Sequence, residues 1–399
     1  MNSMHAKDKR VATGWRAIRQ AIQARFETLD PPLFWLISGL FLVSLVAIYS
    51  ASHDDPSRFI AHLRNLGMAA ALMLILSQVP SSQMQRLAIP LFVVGVLMLL
   101  AVEVAGETSK GATRWLNLGI TRIQPSEMMK IAMPLMLAWL VHRRESLSTP
   151  RDWLMAGLLL AIPVILILKQ PDLGTAILVA ASGFYVLYLA GLPWRLLKVG
   201  FGGLALLILL LVIFGDYACA PGLDWPGLRE YQRQRVCTLL DPMRDPLGAG
   251  FHTLQSMIAI GSGGVVGKGW LQGTQTQLDF IPERATDFIF AGFSEEFGFV
   301  GSLVLVGLYL GIVGRGLWIA LGAPTTFARL LAGSLALTIF TYAFVNLGMV
   351  AGILPVVGVP LPFISYGGTA MVTLGIGLGI VFSVARDRSQ VTQGFSLQG

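Results

Sequence analysis

The sequence predicts an all-α, polytopic membrane protein of about ten transmembrane helices, and three observations carry that prediction. Hydrophobic residues make up 54% of the chain and charged residues only 13%, where soluble domains run about 25% charged; the mean hydropathy is +0.68. The apolar residues fall in continuous runs, long enough to span about 30 Å of hydrocarbon as helix. Those runs are rich in Leu, Gly and Met and do not alternate in short segments, so helices that satisfy their own backbone are expected and a barrel is not. The formal charge of +7 would suggest nucleic acid in a soluble protein, but here the basic residues flank the apolar runs. Their role is to orient helices, and no nucleic-acid partner is expected.

The chain begins with a segment, residues 1–32, that holds Lys7, Lys9, Arg10, Arg16, Arg19 and Arg25, with Trp15, Ile18, Ile22 and Phe26 at helical spacing. It reads as a basic amphipathic tail for an anionic inner leaflet, with a structureless tail as the alternative. A single membrane domain, 33–386, follows, and residues 387–399 form a second tail. Within the domain the apolar runs fall at 33–50, 63–80, 86–105, 124–141, 153–169, 173–192, 195–215, 287–314, 328–351 and 366–385. An even count puts both termini on one side. The connections on that side hold Arg86, Arg143, Arg144, Arg195, Lys198, Arg315 and Arg386, which makes it cytoplasmic by the positive-inside rule. A bacterial cytoplasmic (inner) membrane is the expected location once the family resemblance described below is taken into account.

The opposite side carries Asp54 and Asp55, the connections 107–123 and 170–172, the turn 352–365 and a long loop, 216–286, between the seventh and eighth runs. At roughly 70 residues that loop far exceeds an ordinary helix connection, and such loops usually serve function. Residues 229–240 and 252–260 can each form a surface helix within it. It also holds both cysteines, Cys219 and Cys237; a disulfide is permitted on that side, but two cysteines make no framework and the spacing is not that of a metal site.

Scarce charge gathers at residues 277–299, QLDFIPERATDFIFAGFSEEFGF, where the eighth run begins. The 18 uncharged residues 297–314 make about 27 Å of helix, so Glu295 and Glu296 sit near the membrane boundary and Asp287 about two turns further out, at headgroup depth. A general base acting on a lipid-linked substrate has to stand at that depth. The competing reading of Asp287, on residue type alone the stronger one, is a helix N-cap. Adjacent Glu295 and Glu296 point about 100° apart, so they form no shared dyad; support of local structure, one of them paired across the bundle, is the better account.

Three further groups are candidates. Arg114 in RWLNLG is followed by QPSEMMK, in which Pro125 suits a first helical turn and Glu127 with Lys130 is an i,i+3 pair. That pair is either a local salt bridge or, with Arg114, positive charge offered to a pyrophosphate. In QPDLGT, Asp172 either caps the next helix or lines a polar cavity. In GILPVVGVPLPFISYGG, which contains Ser365, three prolines rule out a regular helix near the membrane, and irregular backbone there has to be buried or line a cavity. The glycine-rich GSGGVVGKG at 261–269 matches neither a Walker loop nor a dinucleotide fingerprint and reads as a closely packed loop. The five histidines show no metal-binding or hydrolase spacing.

Taken together, RWLNLG, QPSEMMK, QPDLGT, YQRQRV with LDPMRDPLGAGFH, QSMIAIGSGGVVGKG, FIPERATDFIFAGFSEEFG and GILPVVGVPLPFISYGG resemble the SEDS family, its elongation branch more than its division branch. The resemblance implies a ten-helix SEDS fold and polymerisation of lipid II, the undecaprenyl-pyrophosphate-linked disaccharide-pentapeptide, into glycan on the outer side of the membrane. It places the essential aspartate at Asp287 and the family's Glu and Lys at Glu127 and Lys130; Arg114, Asp172, Glu295, Glu296 and Ser365 are the further candidates for binding substrate or supporting the site. It implies a class B penicillin-binding protein and elongation-complex proteins as partners, and it leaves open a divalent cation, magnesium or manganese. One position departs: the residue before TDF is often His in the family and is Ala285 here, which would lower or alter activity if that imidazole positions substrate. On the residues alone, a lipid II flippase or a non-catalytic scaffold remains a rival. A base and cations gathered at one face favour a reaction over transport, which would want ionisable groups through the midplane.

Overall fold

The ten predicted runs appear as ten helices in the computed structural model, which describes residues 29–396 apart from 110–111, 118, 120–121, 221–224, 226–229, 249, 279 and 282. The expected amphipathic tail and Asp279 lie outside the described residues. The helices are α1 (Pro31–Ala51), α2 (Pro56–Leu76), α3 (Ser81–Ala105), α4 (Pro125–Arg143), α5 (Pro150–Lys169), α6 (Leu173–Leu189) and α7 (Trp194–Ala218). In the long loop come α8 (Glu230–Leu240), a 3-10 turn (Pro242–Arg244), α9 (Phe251–Ser262) and α10 (Thr274–Gln277), and then α11 (Ile289–Leu321), α12 (Thr326–Val350) and α13 (Gly368–Ser396). Eight of these are long and apolar enough to cross a membrane; α6 is a shorter apolar helix, and α4, of 19 residues, carries Glu127 and Lys130 within it.

Local chemistry sets the ends. Proline occupies the first turn of α1, α2, α4 and α5, where its missing N–H costs nothing. Asp30, Asp55, Asp172 and Thr325 each accept a backbone N–H at a helix start, and Thr149 with Asp152 forms a capping box. The Asp55 cap explains why α2 begins at Pro56, a full turn or more before its apolar run. At the end of the bundle where α1 begins, Arg315 clamps Asp30 through two hydrogen bonds of 2.9 and 2.7 Å, and Asp387 accepts from the Ser81 amide and hydroxyl at 2.9 and 2.7 Å. That charge pairing lets α11 and α13 run past their apolar stretches.

The helix α12 is central, with 78% of its spanning window buried, and α13 is next at 72%. Around them α11 packs on α1 and α12, α13 on α2, and α4 on α3, α6 and α12. In contrast α7 has 6% of its window buried and touches the rest chiefly at α8. There the Cys219–Cys237 disulfide, which the sequence only permitted, ties the end of α7 to α8.

Two features depart from uninterrupted helix. The 107–123 connection folds into a three-stranded antiparallel sheet, β1 (Glu107–Ser109), β2 (Ala112–Asn117) and β3 (Arg122–Ile123), in the order β1-β2-β3. Its period of two sets Arg114 on the same face as buried Leu116. Glu107 fastens the ends, accepting from Asn117 at 2.9 Å and pairing with Arg122 at 3.2 Å.

The second departure is a break in α11 at Gly298, which adopts φ 63° and ψ −160°, a conformation for glycine alone. The glycine-rich loop fills the gap. Lys268 and Gly269 donate their amides to the carbonyls of Glu295 and Glu296, each at 3.0 Å, and Phe299 and Val300 donate to the carbonyls of Gly264 and Val265 at 2.9 and 3.0 Å. The loop therefore supplies hydrogen bonds that the interrupted helix cannot make for itself. A Cβ on Gly298 would collide with the Gly267 amide. Gly298→Ala is accordingly expected to cost about 1–3 kcal/mol from backbone strain alone, read as a lower thermal midpoint of the detergent-purified protein. An unchanged midpoint would show that the loop yields freely.

Candidate functional site

A polar cavity of about 240 Å³ opens where β2, α4, α6, the turn before α11 and the 358–370 segment meet. Five of the residues singled out in the sequence line it: Arg114, Glu127, Lys130, Asp172 and Asp287. Glu127 and Lys130 share α4, while Arg114, Asp172 and Asp287 arrive on three other segments, so bringing the groups together is the work of the fold.

The turn 283–288 presents Asp287. The Glu283 carbonyl accepts the amides of Thr286 and Phe288 at 3.1 and 3.2 Å, and the Thr286 hydroxyl donates to the Glu283 carboxylate at 2.7 Å. Three successive carbonyls of that turn are then clamped from outside. Tyr366 N–H donates to Ala285 O at 2.8 Å, the Ser365 hydroxyl to Thr286 O at 2.6 Å, and the Asn346 amide to Asp287 O at 2.9 Å. Asn346 also donates to Val359 O at 2.8 Å, so one side chain of α12 joins the two irregular segments that wall the cavity. Arg284, buried beside the turn, donates to Ala51 O at 3.1 Å and Thr276 O at 2.8 Å and pairs with Asp54. The backbone of the turn is thereby held at three carbonyls by groups outside it. On the opposite wall the backbone favours glycine: Gly358 has φ 73°, and its Cα faces the site so that a Cβ there would be in ordinary contact, 3.5 Å, with Asp287 Oδ2.

The N-cap reading of Asp287 does not hold. The cap position of α11 is Phe288, and no side chain bonds there. Asp172 does both of the things considered for it: Oδ1 accepts the Thr175 amide at 3.2 Å, while Oδ2 accepts from Gln124 at 3.0 Å and stands 3.6 Å from Arg114. Lys130 is buried, bonded to Glu127 at 2.5 Å and to the Tyr342 hydroxyl at 2.7 Å. Burial of this pair in the low dielectric of the bundle strengthens it. Ser365 serves through its clamp and does not line the cavity.

Glu295 and Glu296 stand apart from the cavity. Glu295, fully buried, bonds Lys268 at 2.6 Å, Thr274 at 2.9 Å and the Gln275 amide at 3.1 Å. Glu296 accepts from Ser50. Both tie the loop and α1 to α11, which is the supporting role expected of them.

Sequence reasoning missed Asn346 and Tyr342. The signal was present: Ser334, Thr338, Tyr342 and Asn346 recur every four residues along an otherwise apolar helix and so share one face. Asn346→Ala would strand two buried carbonyls, and is expected to lower stability by about 1–3 kcal/mol. Thermal unfolding in detergent reads this directly, and an unchanged midpoint would make the clamp dispensable.

Next to the polar cavity lies an open groove of about 700 Å³, walled by Met68, Leu91, Met128, Ile131, Val372 and Ile376. The two share Gln124, Glu127 and Thr369, so they adjoin. No group of three or more His, Cys, Asp or Glu among the described residues is placed to hold a metal ion. The positive charge of the cavity comes from Lys130 and Arg114.

Comparison with known proteins follows from this geometry. The family described as cell cycle protein, FtsW/RodA/SpoVE, matches residues 31–390. The peptidoglycan glycosyltransferase MrdB of Escherichia coli K12 is 47% identical over 365 residues, 92% of this chain and 95% of that one. A chain from a peptidoglycan synthase complex that coordinates polymerization and crosslinking superposes with a TM-score of 0.75 at 34% identity, over 91% of this chain and 99% of that one. The rod shape determining protein RodA of Thermus thermophilus gives a TM-score of 0.67 at 30% identity, over 90% and 97%.

Proposed function

The chain belongs to the FtsW/RodA/SpoVE family of cell cycle proteins, and from that membership we propose that it is a peptidoglycan glycosyltransferase of the elongation type, joining lipid II units at the cavity around Asp287. The observation that carries the reading is a polar, acid-lined cavity that adjoins a mostly apolar groove. A substrate with a sugar-pyrophosphate head and a polyprenyl tail needs both, side by side, at the depth of the headgroups.

Asp287 acts as general base on the 4-hydroxyl of the acceptor sugar. The hydroxyl oxygen attacks the anomeric carbon of the donor with inversion, the proton passes to the carboxylate, and the bond to the pyrophosphate oxygen breaks with its electron pair. A good leaving group needs no protonation, so one carboxylate suffices where glycoside hydrolysis uses two. Lys130 and Arg114 face the charge that develops on the pyrophosphate. Glu127 and Asp172 hold those cations in place before substrate arrives.

Helix count and basic flanks support cytoplasmic termini and an extracytoplasmic cavity in the inner membrane. The similarity to a chain of a synthase complex supports a class B penicillin-binding protein as the crosslinking partner.

The test is purified chain in detergent with labelled lipid II, penicillin present and no other synthase. A ladder of glycan strands is expected. Lipid II scrambling across liposomes without polymer would overturn the proposal in favour of a transporter.

A further inference from the structure

A second cavity, of about 260 Å³, lies in the long loop and takes no part in the mechanism above. Gln234, Arg235, Thr238 and Leu239 of α8 and Thr253 of α9 line one side, and Leu354, Pro355 and Val356 the other. We propose that it is a saccharide subsite, holding sugar units of the growing strand beyond the pair being joined at Asp287. The proposal rests on the glycosyltransferase reading.

Two structural connections place this cavity beside the reaction. Its wall 354–356 continues as 358–360, which walls the Asp287 cavity. The segment between has no regular secondary structure, and with one residue, Val357, between them the two walls lie at most about 7 Å apart along the chain. On the other side, His252, the neighbour of Thr253, stacks on Phe288 with ring centroids 5.6 Å apart, and Phe288 follows Asp287. A chain leaving the Asp287 cavity along the 354–360 segment meets this site next.

The lining suits a sugar in particular. A pyranose offers hydroxyls at its rim and C–H bonds on its faces, and this cavity sets an amide, two hydroxyl-bearing side chains and a guanidinium against an apolar wall. A polyprenyl tail would want the larger, mostly apolar groove described above. A pyrophosphate would want the paired cations of the Asp287 cavity. The volume admits only a short piece of a longer chain, below the usual size of a whole-ligand pocket.

The walls are also firm. The Cys219–Cys237 disulfide and the Arg233 hydrogen bond to Ala220 O, 3.1 Å, hold α8, while the Ser256 hydroxyl holds α9 against Val350 O at 2.9 Å. Binding energy from sugars remote from the reacting bond would keep the strand in place between turnovers.

The test measures strand length. Labelled lipid II is given to the purified protein and chased with excess unlabelled lipid II, so that each strand reports one binding episode; gels then resolve first-coupling product from long strands. Thr238→Trp fills the cavity, and Arg235→Ala removes a donor without adding bulk. Both are expected to lower the ratio of long strands to first-coupling product at least threefold. Unchanged ratios would overturn the proposal, and so would a fall in total product with the length distribution preserved, which marks a general loss of activity. If Thr238→Trp fails to purify as a folded species, Arg235→Ala decides alone. Absence of polymer from the unaltered protein would instead be a failure of the glycosyltransferase reading itself.

Discussion

Asp287→Asn is expected to lower the initial rate of strand formation by about 10²–10⁴-fold, the usual contribution of a general base, while leaving the protein as stable as before. The amide has nearly the shape of the carboxylate but cannot take the proton of the attacking hydroxyl. The backbone of the turn has its own anchors: Ala285, Thr286 and Asp287 are held through their carbonyls by Tyr366, Ser365 and Asn346. The cap position of α11 is the next residue, Phe288. A true N-cap would cost about 1 kcal/mol on replacement, so an unaltered thermal midpoint beside a lost rate separates catalysis from capping. Polymer made at the normal rate by the variant would end the role of Asp287.

The same clamps bear on Ala285. A histidine is common before the TDF sequence in the family, and its absence threatened a loss of function. In the structure Ala285 is buried, with 2% of its surface exposed, and it does not line the cavity. Its contribution to the turn is the carbonyl that accepts from Tyr366, which any residue type supplies. An imidazole does stand against the turn from another element: His252, stacked on Phe288.

How much was legible in the sequence follows from the range of the forces involved. Ten helices could be read because lipid imposes length and apolarity on each segment by itself. Asp287, Lys130, Glu127, Arg114 and Asp172 could be singled out because charge is scarce in such a chain, but their meeting in one cavity depends on helix packing that no local pattern states. The sheet at 107–123 went unread because strands of three, six and two residues are too short to show alternation. The break at Gly298 went unread because glycine is common throughout the chain, and only the loop inserted from 263–269 shows which glycine has to be one. Asn346 went unread because a single amide in an apolar run carries no label for its partners, here two carbonyls 59 and 13 residues away.

Lys130→Met is expected to lose polymerisation and to destabilise the protein by about 3–5 kcal/mol, because removing one member of a buried pair leaves the other charge uncompensated. Glu127 has 11% of its side chain exposed and Lys130 3%, so neither is rescued by solvent. Glu127 Oε1 would lose its bond to the lysine, and Oε2 has no hydrogen-bond partner to begin with. The double variant Lys130→Met with Glu127→Gln removes both charges, and well-packed neutral replacements of a buried pair are often close to neutral in stability. Its thermal midpoint should therefore return most of the way. Its polymerisation rate should not, because the cation that faces the departing pyrophosphate is still gone. The two readouts divide the pair's roles: recovery of stability alone assigns Lys130 to the reaction, whereas recovery of both would make the pair a structural strut and leave Arg114 as the cation of the cavity.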